Sequence, residues 1–232
     1  LEEEIWNYLT KSAYESYKMK FFQTNLFFLP FVGHDYSAGG IFGKRVMALG
    51  ESHYCEEKCA NCGVAGKAGD CAAFTTNVIK AYLNPNTERE RWMSTYLKFE
   101  RSLVGHETDG DERQRIWQSL LFFNFLQVAM DETRQAGTQE QYLQAQRAFY
   151  EVLDQYLPEY IIVWGKRLWG FLPGDGRWRE EKDIVIDGQH IATGSYRLGN
   201  GERARVMAVY HPSVGYSWDW WHKAIHAFLN QH

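Results

Sequence analysis

The stretch Arg45-Val46-Met47-Ala48-Leu49-Gly50-Glu51-Ser52-His53-Tyr54 reads as a buried strand that stops abruptly at small, polar and imidazole residues. A continuous apolar run of this kind suits a parallel sheet covered on both faces. The pattern returns far downstream, where Val206-Met207-Ala208-Val209 runs into His211-Pro212-Ser213. Two further apolar runs complete a set of four: Leu120-Leu121-Phe122-Phe123-Asn124-Phe125-Leu126 and Ile161-Ile162-Val163-Trp164-Gly165. In open α/β sheets, ligands bind just beyond the carboxyl ends of the strands. The polar residues that end these runs are therefore the first candidates for a site.

Helical patterns separate the runs. An aromatic-rich helix is expected over 3–22. Thr75 or Thr76 is expected to cap a helix through Val78–Leu83 that Pro85 ends. Residues 87–104 read as helical and 105–113 as a polar loop. A clear amphipathic helix over 138–157 has Tyr142, Ala145, Phe149 and Tyr156 on one face, Thr138 as cap and Pro158 as stop. A short helix begins at Lys166, the polar stretch 174–203 reads as a β-hairpin or arm, and 217–230 as the last helix. Strands alternating with helices imply βαβ units. The expected fold is a three-layer α/β/α sandwich around a central, mainly parallel four-stranded sheet. A chain of 232 residues with no internal linker is read as one domain, 1–232.

The formal net charge of −4 gives the chain no overall basic footprint, which argues against loose, non-specific duplex binding. Lys44, Arg45, Lys166, Arg167, Arg177, Arg179, Arg203 and Arg205 lie near strand ends or loops; most of them read as ordinary solvated charge, and a local basic face stays open. Aromatic residues make up 16% of the chain, more than a core usually needs, so some rings are expected to line a pocket or stack on bases. The plain alternative is a large core. No apolar run is long enough for a transmembrane helix, and Leu1-Glu2-Glu3-Glu4 does not resemble a signal peptide. A soluble, cytoplasmic monomer is expected.

All four cysteines fall in one loop, 55–71, as Cys55, Cys59, Cys62 and Cys71. Clustered thiols in a cytosolic chain point to metal rather than disulfides. Four thiolates close a tetrahedral site that suits structural zinc, and a 4Fe-4S cluster uses the same ligands. The first three also match the C-x3-C-x2-C spacing of radical S-adenosylmethionine enzymes. Asn61 stands where those enzymes place an aromatic, Cys71 supplies a fourth ligand, and their long run of β–α repeats is missing. An iron–sulfur radical or redox enzyme is the minor alternative.

Four strand-end elements, in order, resemble the uracil-DNA glycosylase superfamily. Gly50-Glu51-Ser52-His53-Tyr54 looks like the first motif, which positions the attacking water. Phe123-Asn124 looks like the base-recognition element, Ile162-Val163-Trp164-Gly165 is similar to the third strand, and His211-Pro212-Ser213 resembles the last motif, whose following loop enters the DNA. Ser52 stands where the best-known members have aspartate, and His53 where they have proline. Glu51 matches the Gly-Glu opening of the iron–sulfur-containing members, which place their cysteines elsewhere. Thr76-Asn77-Val78 also resembles a base-recognition strand, but Asn77 sits in a helical pattern, which favours Asn124.

The resemblance implies a monofunctional DNA glycosylase that hydrolyses the N-glycosidic bond of uracil or another modified base, taken out of the stack into a pocket. His211 would donate to the base oxygen where charge develops. Glu51, Ser52 and His53 compete to orient the water. Asn124, Phe123 and Tyr54 would bind the base, and Ser213, Val214 and Tyr216 would contact DNA. No lysine occupies a motif position for a Schiff base, hence the hydrolytic expectation. The second reading is a non-catalytic nucleic-acid-binding protein of the same fold.

Overall fold

The computed structural model describes residues 25–55 and 71–230. Its strands are β1 (Phe31–Val32), β2 (Val46–Gly50), β3 (Leu120–Asn124), β4 (Tyr160–Trp164), β5 (Trp178–Ile186), β6 (Gln189–Arg197) and β7 (Arg203–Val209). Its α-helices are α1 (Phe74–Leu83), α2 (Met93–Val104), α3 (Gly110–Gln118), α4 (Gln139–Tyr156), α5 (Lys166–Phe171) and α6 (Trp218–Leu229).

The strands form one sheet in the order β1-β3-β2-β4-β7-β6-β5. The four apolar runs are its centre and pair in parallel, β3 with β2, β2 with β4, and β4 with β7. Antiparallel neighbours extend both sides: β1 on β3, and the β5–β6 hairpin on β7. The class is α/β, as the sequence predicts. The sheet has seven strands rather than four, and half of its pairings are antiparallel. The difference comes from the expected hairpin, whose second strand docks on β7, and from Phe31–Val32, which pairs antiparallel with β3.

The parallel strands bury both faces, so their side chains divide by alternation. Val46, Ala48, Leu120, Phe122, Ile162, Trp164, Met207 and Val209 pack under α1, α2, α3 and α6. Met47, Leu49, Leu121, Phe123, Ile161, Val163 and Val206 pack under α4. The path from β2 to β3 runs through the first face and that from β3 to β4 through α4 on the other. The chain thus leaves β2 to one side and returns past it to the other. This reversal makes the carboxyl ends of β2 and β4 the switch point where such sheets hold ligands.

Local rules explain the helix boundaries. Thr138 and Gln141 form a reciprocal capping box at the start of α4, which contributes about 1 kcal/mol. Leu157, left-handed at φ 48°, and then Pro158 end it. Thr75 caps nothing: it lies inside α1, with Ala73 at the cap position. Helix α3 begins at Gly110, inside the expected loop, with the Asp109 side chain accepting from Glu112 N–H. The helix expected over 87–104 starts only at Met93. The helix expected over 3–22 lies outside the described residues.

Helices α1, α2 and α3 are locked together by Glu100, a fully buried carboxylate. Tyr82 Oη donates to it at 2.7 Å, Trp117 Nε1 at 3.0 Å and Arg113 Nε at 3.1 Å. Removing one partner of such a buried pair costs about 3–5 kcal/mol. This clamp holds α1 and α2 rigidly where they overhang the strand ends. The outermost strand β5 is charged along most of its length, from Arg179 through Asp183. Among the described residues, no helix is long and apolar enough to cross a membrane.

Candidate active site

The parallel register sets the strand ends side by side. Gly50 pairs with Asn124, and Trp164 pairs with Val209. Above them opens a cleft of about 780 Å³, lined from four strand ends and from α1 and α2. Its aromatic walls are Tyr54, Phe74, Trp92, Tyr96, Phe122, Trp164 and Tyr210, and its cations are Arg134, Lys166 and Arg167. Glu51, Ser52, His53, Tyr54, Asn124, His211, Ser213 and Val214, all singled out in the sequence, meet in this one cleft.

Glu51 is held fast. Arg167 Nε and Nη2 each donate to its carboxylate at 2.7 Å, and Tyr142 Oη donates to Oε1. The Arg167 guanidinium is held above its ordinary range, first by the bond to Glu51. The Tyr142 phenol is pushed up to about 12 by burial and then by the Glu51 bond. A carboxylate with three donors on it is held in one place, its oxygens engaged by Arg167 and Tyr142. Arg167 also donates to the Arg134 carbonyl at 3.1 Å, tying the 131–137 loop to the end of β2. Arg167, which the sequence motifs did not single out, is the cation that pairs with Glu51.

Ser52 Oγ is buried and has no hydrogen-bond partner among the described residues. His53 is only 4% exposed. Its Nε2 lies 2.9 Å from Thr75 Oγ1, its ring stacks on Phe74 at 4.4 Å, and the edge of Phe28 approaches at 4.9 Å. Burial drives its pKa down to about 3, so the imidazole is neutral. A neutral ring walled in this way is part of the cleft's floor. Tyr54 is largely exposed at the rim, with its Oη accepting from Arg134 N–H at 3.0 Å.

Asn124 ends β3 rather than interrupting it, and is also 4% exposed. Its Oδ1 lies over Gly50, at a place that any β-carbon on residue 50 would occupy. Phe123 turns the other way, into the core under α4, so it cannot stack on a ligand in the cleft. The neighbouring Phe122 lines the cleft instead, packed against Trp164 at 5.0 Å and Tyr96 at 5.7 Å. The apolar run buries both faces, so it gave no sign of which phenylalanine faced the site. Trp164 Nε1 is buried without a partner among the described residues.

His211 stands exposed at the mouth, edge-on to Trp164 with centroids 6.1 Å apart. Its Nδ1 accepts from Ser213 N–H at 3.2 Å and lies 2.7 Å from Ser213 Oγ. A neutral imidazole that accepts at Nδ1 carries its proton on Nε2. Nε2 has no partner among the described residues, so this donor is unengaged. Desolvation lowers the His211 pKa, Glu51 opposes, and Arg167 and Arg134 add to the lowering. Gly165, at φ 102°, makes the turn from β4 into α5 close beside the His211 side chain.

Val214 is 55% exposed beside His211. Tyr216 is not a surface residue: it is buried, stacks on Trp221, and donates to Ser102 Oγ at 2.7 Å. It anchors α6 to α2 and is unavailable to DNA. Asn77 lies exposed on α1, away from the strand ends. Lys166, absent from the sequence motifs, lines the cleft with Nζ 4.9 Å from the centre of the Tyr210 ring.

Cys55 and Cys71 are half-buried and bracket residues 56–70. Cys59 and Cys62 lie outside the described residues. Among the described residues no group of three or more metal-ligating side chains gathers. No family model matches the chain, and no curated protein sequence matches it.

Proposed function

We propose that this protein is a DNA glycosylase, a soluble monomer of the cytoplasm that hydrolyses the N-glycosidic bond of uracil or another modified base. In this reading the four parallel strands are the core of a uracil-DNA glycosylase-like fold and the antiparallel strands are additions. The observation that carries it is the convergence of Asn124 and the His211 Nε2–H donor on one aromatic-lined cleft at the sheet's switch point.

The C1′–N bond breaks with its electron pair going to the base, which leaves an oxocarbenium-like sugar. His211 donates from Nε2 to the base oxygen that gathers the charge. Asn124 reads the base edge with a carboxamide that donates and accepts. Ser52 Oγ, buried and unpartnered, positions the water that adds to C1′. The product sugar and base share the water's two protons. Glu51 takes no proton: it supplies negative charge near the oxocarbenium while Arg167 and Tyr142 fix its place. Water needs positioning more than deprotonation when its target is a cation.

Structural zinc, held by Cys55, Cys59, Cys62 and Cys71, belongs to the same proposal. Four thiols fit its tetrahedral preference, and a 4Fe-4S cluster is the alternative. The metal would tie the end of β2 to the start of α1 and supply no chemistry to the reaction. Elemental analysis and the visible spectrum separate the two.

The test is release of free base from oligonucleotides, single- and double-stranded, that carry uracil, hypoxanthine or 5-substituted uracils. Hydrolysis gives an alkali-labile site and no adduct on borohydride treatment. An adduct that disappears in Lys166→Ala would move the reaction to Schiff-base chemistry. No release across the panel from folded, metal-replete protein sinks the enzymatic reading. The committed state of Glu51 favours one second reading, a binding protein without turnover, and retained oligonucleotide affinity would support it.

A further inference from the structure

We propose that the imidazole face of His53 fixes the flip of the Asn124 carboxamide and so decides which base edge the cleft accepts. This rests on the glycosylase reading for its substrates, but its geometry stands apart from it.

Asn124 Nδ2 lies 3.2 Å from Nδ1 and 3.1 Å from Nε2 of His53. An amide lying in the ring plane and equally near both nitrogens would overlap Cε1. The amide therefore sits over the ring face, and the contact is an N–H donor on a π-system rather than a hydrogen bond to either nitrogen. The opposite face is covered by Phe74, nearly parallel at 14°. The in-plane Nε2 is tied to Thr75 Oγ1. The ring cannot turn without losing these contacts.

An aromatic face is the negative end of its quadrupole. It attracts an amide N–H and repels a carbonyl oxygen. The two ends of a carboxamide have nearly the same shape, so only such a difference sets which is which. Here Nδ2 takes the His53 face and Oδ1 takes the space over Gly50. With the flip set, the donor and acceptor that Asn124 offers the cleft hold one order.

A lactam edge pairs a carbonyl acceptor with a ring N–H donor, as in uracil and hypoxanthine. An amino edge, as in cytosine, reverses that order. A freely flipping asparagine serves both, whereas a fixed one serves a single order and leaves the other edge with like groups facing; under the glycosylase reading the edge served is the lactam. His53 and Thr75 are then positioning residues that set specificity.

The experiment compares His53→Leu, His53→Phe and Thr75→Val with wild type, each checked for fold by circular dichroism. One readout is the side-chain amide resonance of Asn124, identified with Asn124→Asp. In wild type and His53→Phe one Nδ2 proton lies upfield, shifted by the ring above which it sits. In His53→Leu that shift vanishes. The second readout is selectivity, the ratio of uracil to cytosine in release rate, or in affinity for oligonucleotides if turnover is absent. It falls about 10-fold in His53→Leu, less in Thr75→Val, and holds in His53→Phe. A folded His53→Leu with wild-type selectivity overturns the proposal, as does an Asn124 amide with no upfield proton in wild type. Absence of base release with an upfield amide defeats the glycosylase reading alone.

Discussion

At the carboxyl end of β2 nearly every polar side chain is already engaged. Glu51 is gripped by Arg167 and Tyr142, and His53 is walled in by Thr75, Phe74 and Asn124. At the end of β7 the reverse holds. His211 is fixed through one nitrogen only, by its own neighbour Ser213, and keeps its other nitrogen free among the described residues. The first half is packed as scaffold, and the second keeps a donor open to the cleft. The sequence leaves three candidates competing in Glu51-Ser52-His53, where Ser52 replaces the usual aspartate, and already makes His211 the firmer half of the site. Within the motif, Glu51 and His53 are engaged by residues from elsewhere in the chain, and Ser52 Oγ alone stays without a partner among the described residues.

The sharpest way to break this contrast is His211→Ala. Base release is expected to fall by about 10²–10³, the usual loss for one preorganised donor to a developing negative charge. Affinity for an oligonucleotide with an uncleavable base analogue stays within a few-fold. A loss in affinity equal to the loss in rate would make His211 a binding residue only.

Arg167→Ala attacks the other half. It leaves the Glu51 carboxylate, 10% exposed, facing the cleft without its cation. Stability drops by about 1–2 kcal/mol in chemical denaturation, below the cost of breaking a fully buried pair because the Arg167 side chain is 41% exposed. Adding Glu51→Gln restores much of that loss. If the double variant is no more stable than Arg167→Ala, the pair does not hold the motif in place.

Tyr216→Phe separates the core from the surface of the last loop. It leaves Ser102 Oγ without its buried donor and costs about 1 kcal/mol. Oligonucleotide affinity is unchanged, whereas Val214→Glu, on the exposed rim, weakens it. Loss of affinity in Tyr216→Phe at unchanged stability would return this tyrosine to the DNA-contacting set.

The smallest effect is in pH. The folded pKa of His211 lies below its unfolded value of 6.5, owing to desolvation, with Glu51 opposing and Arg167 and Arg134 reinforcing. Between those two values the unfolded chain takes up a proton that the folded chain refuses. The stability contribution is complete above pH 6.5 and is lost as pH falls through the folded value. The pH slope of unfolding below 6.5 is therefore shallower in His211→Asn, and an equal slope removes the depressed histidine from the account.

The four central strands were legible because burial on both faces demands unbroken apolar runs. The hairpin was legible from alternation and glycine. Helix α3 was not, because Gly110-Asp111-Glu112-Arg113-Gln114-Arg115 shows no apolar period before Ile116 and Trp117. Its signal lay in the Asp109 cap. Thr75 looked like a cap because its true partner, His53, is 22 residues away. Arg167 meets Glu51 across 116 residues, and only the fold brings them together. Tyr216 follows a surface motif in sequence but drops into the core in space. Local rules found the elements, and the site's internal loyalties were long-range.

The charged outer strand carries a consequence for how the molecule behaves in a crowd. An unpaired strand edge is a template for another chain, and natural sheets blunt it with charge, bulges or brevity. Strand β5 has both charge, from Arg179 to Asp183, and a register shift between Glu181 and Ile184. At the other margin of the described sheet, β1 offers two residues. Both margins of the described sheet thus carry features that discourage edge-to-edge pairing with another chain. A cleft assembled from strand ends needs that protection, because any slip in strand pairing would scatter its residues.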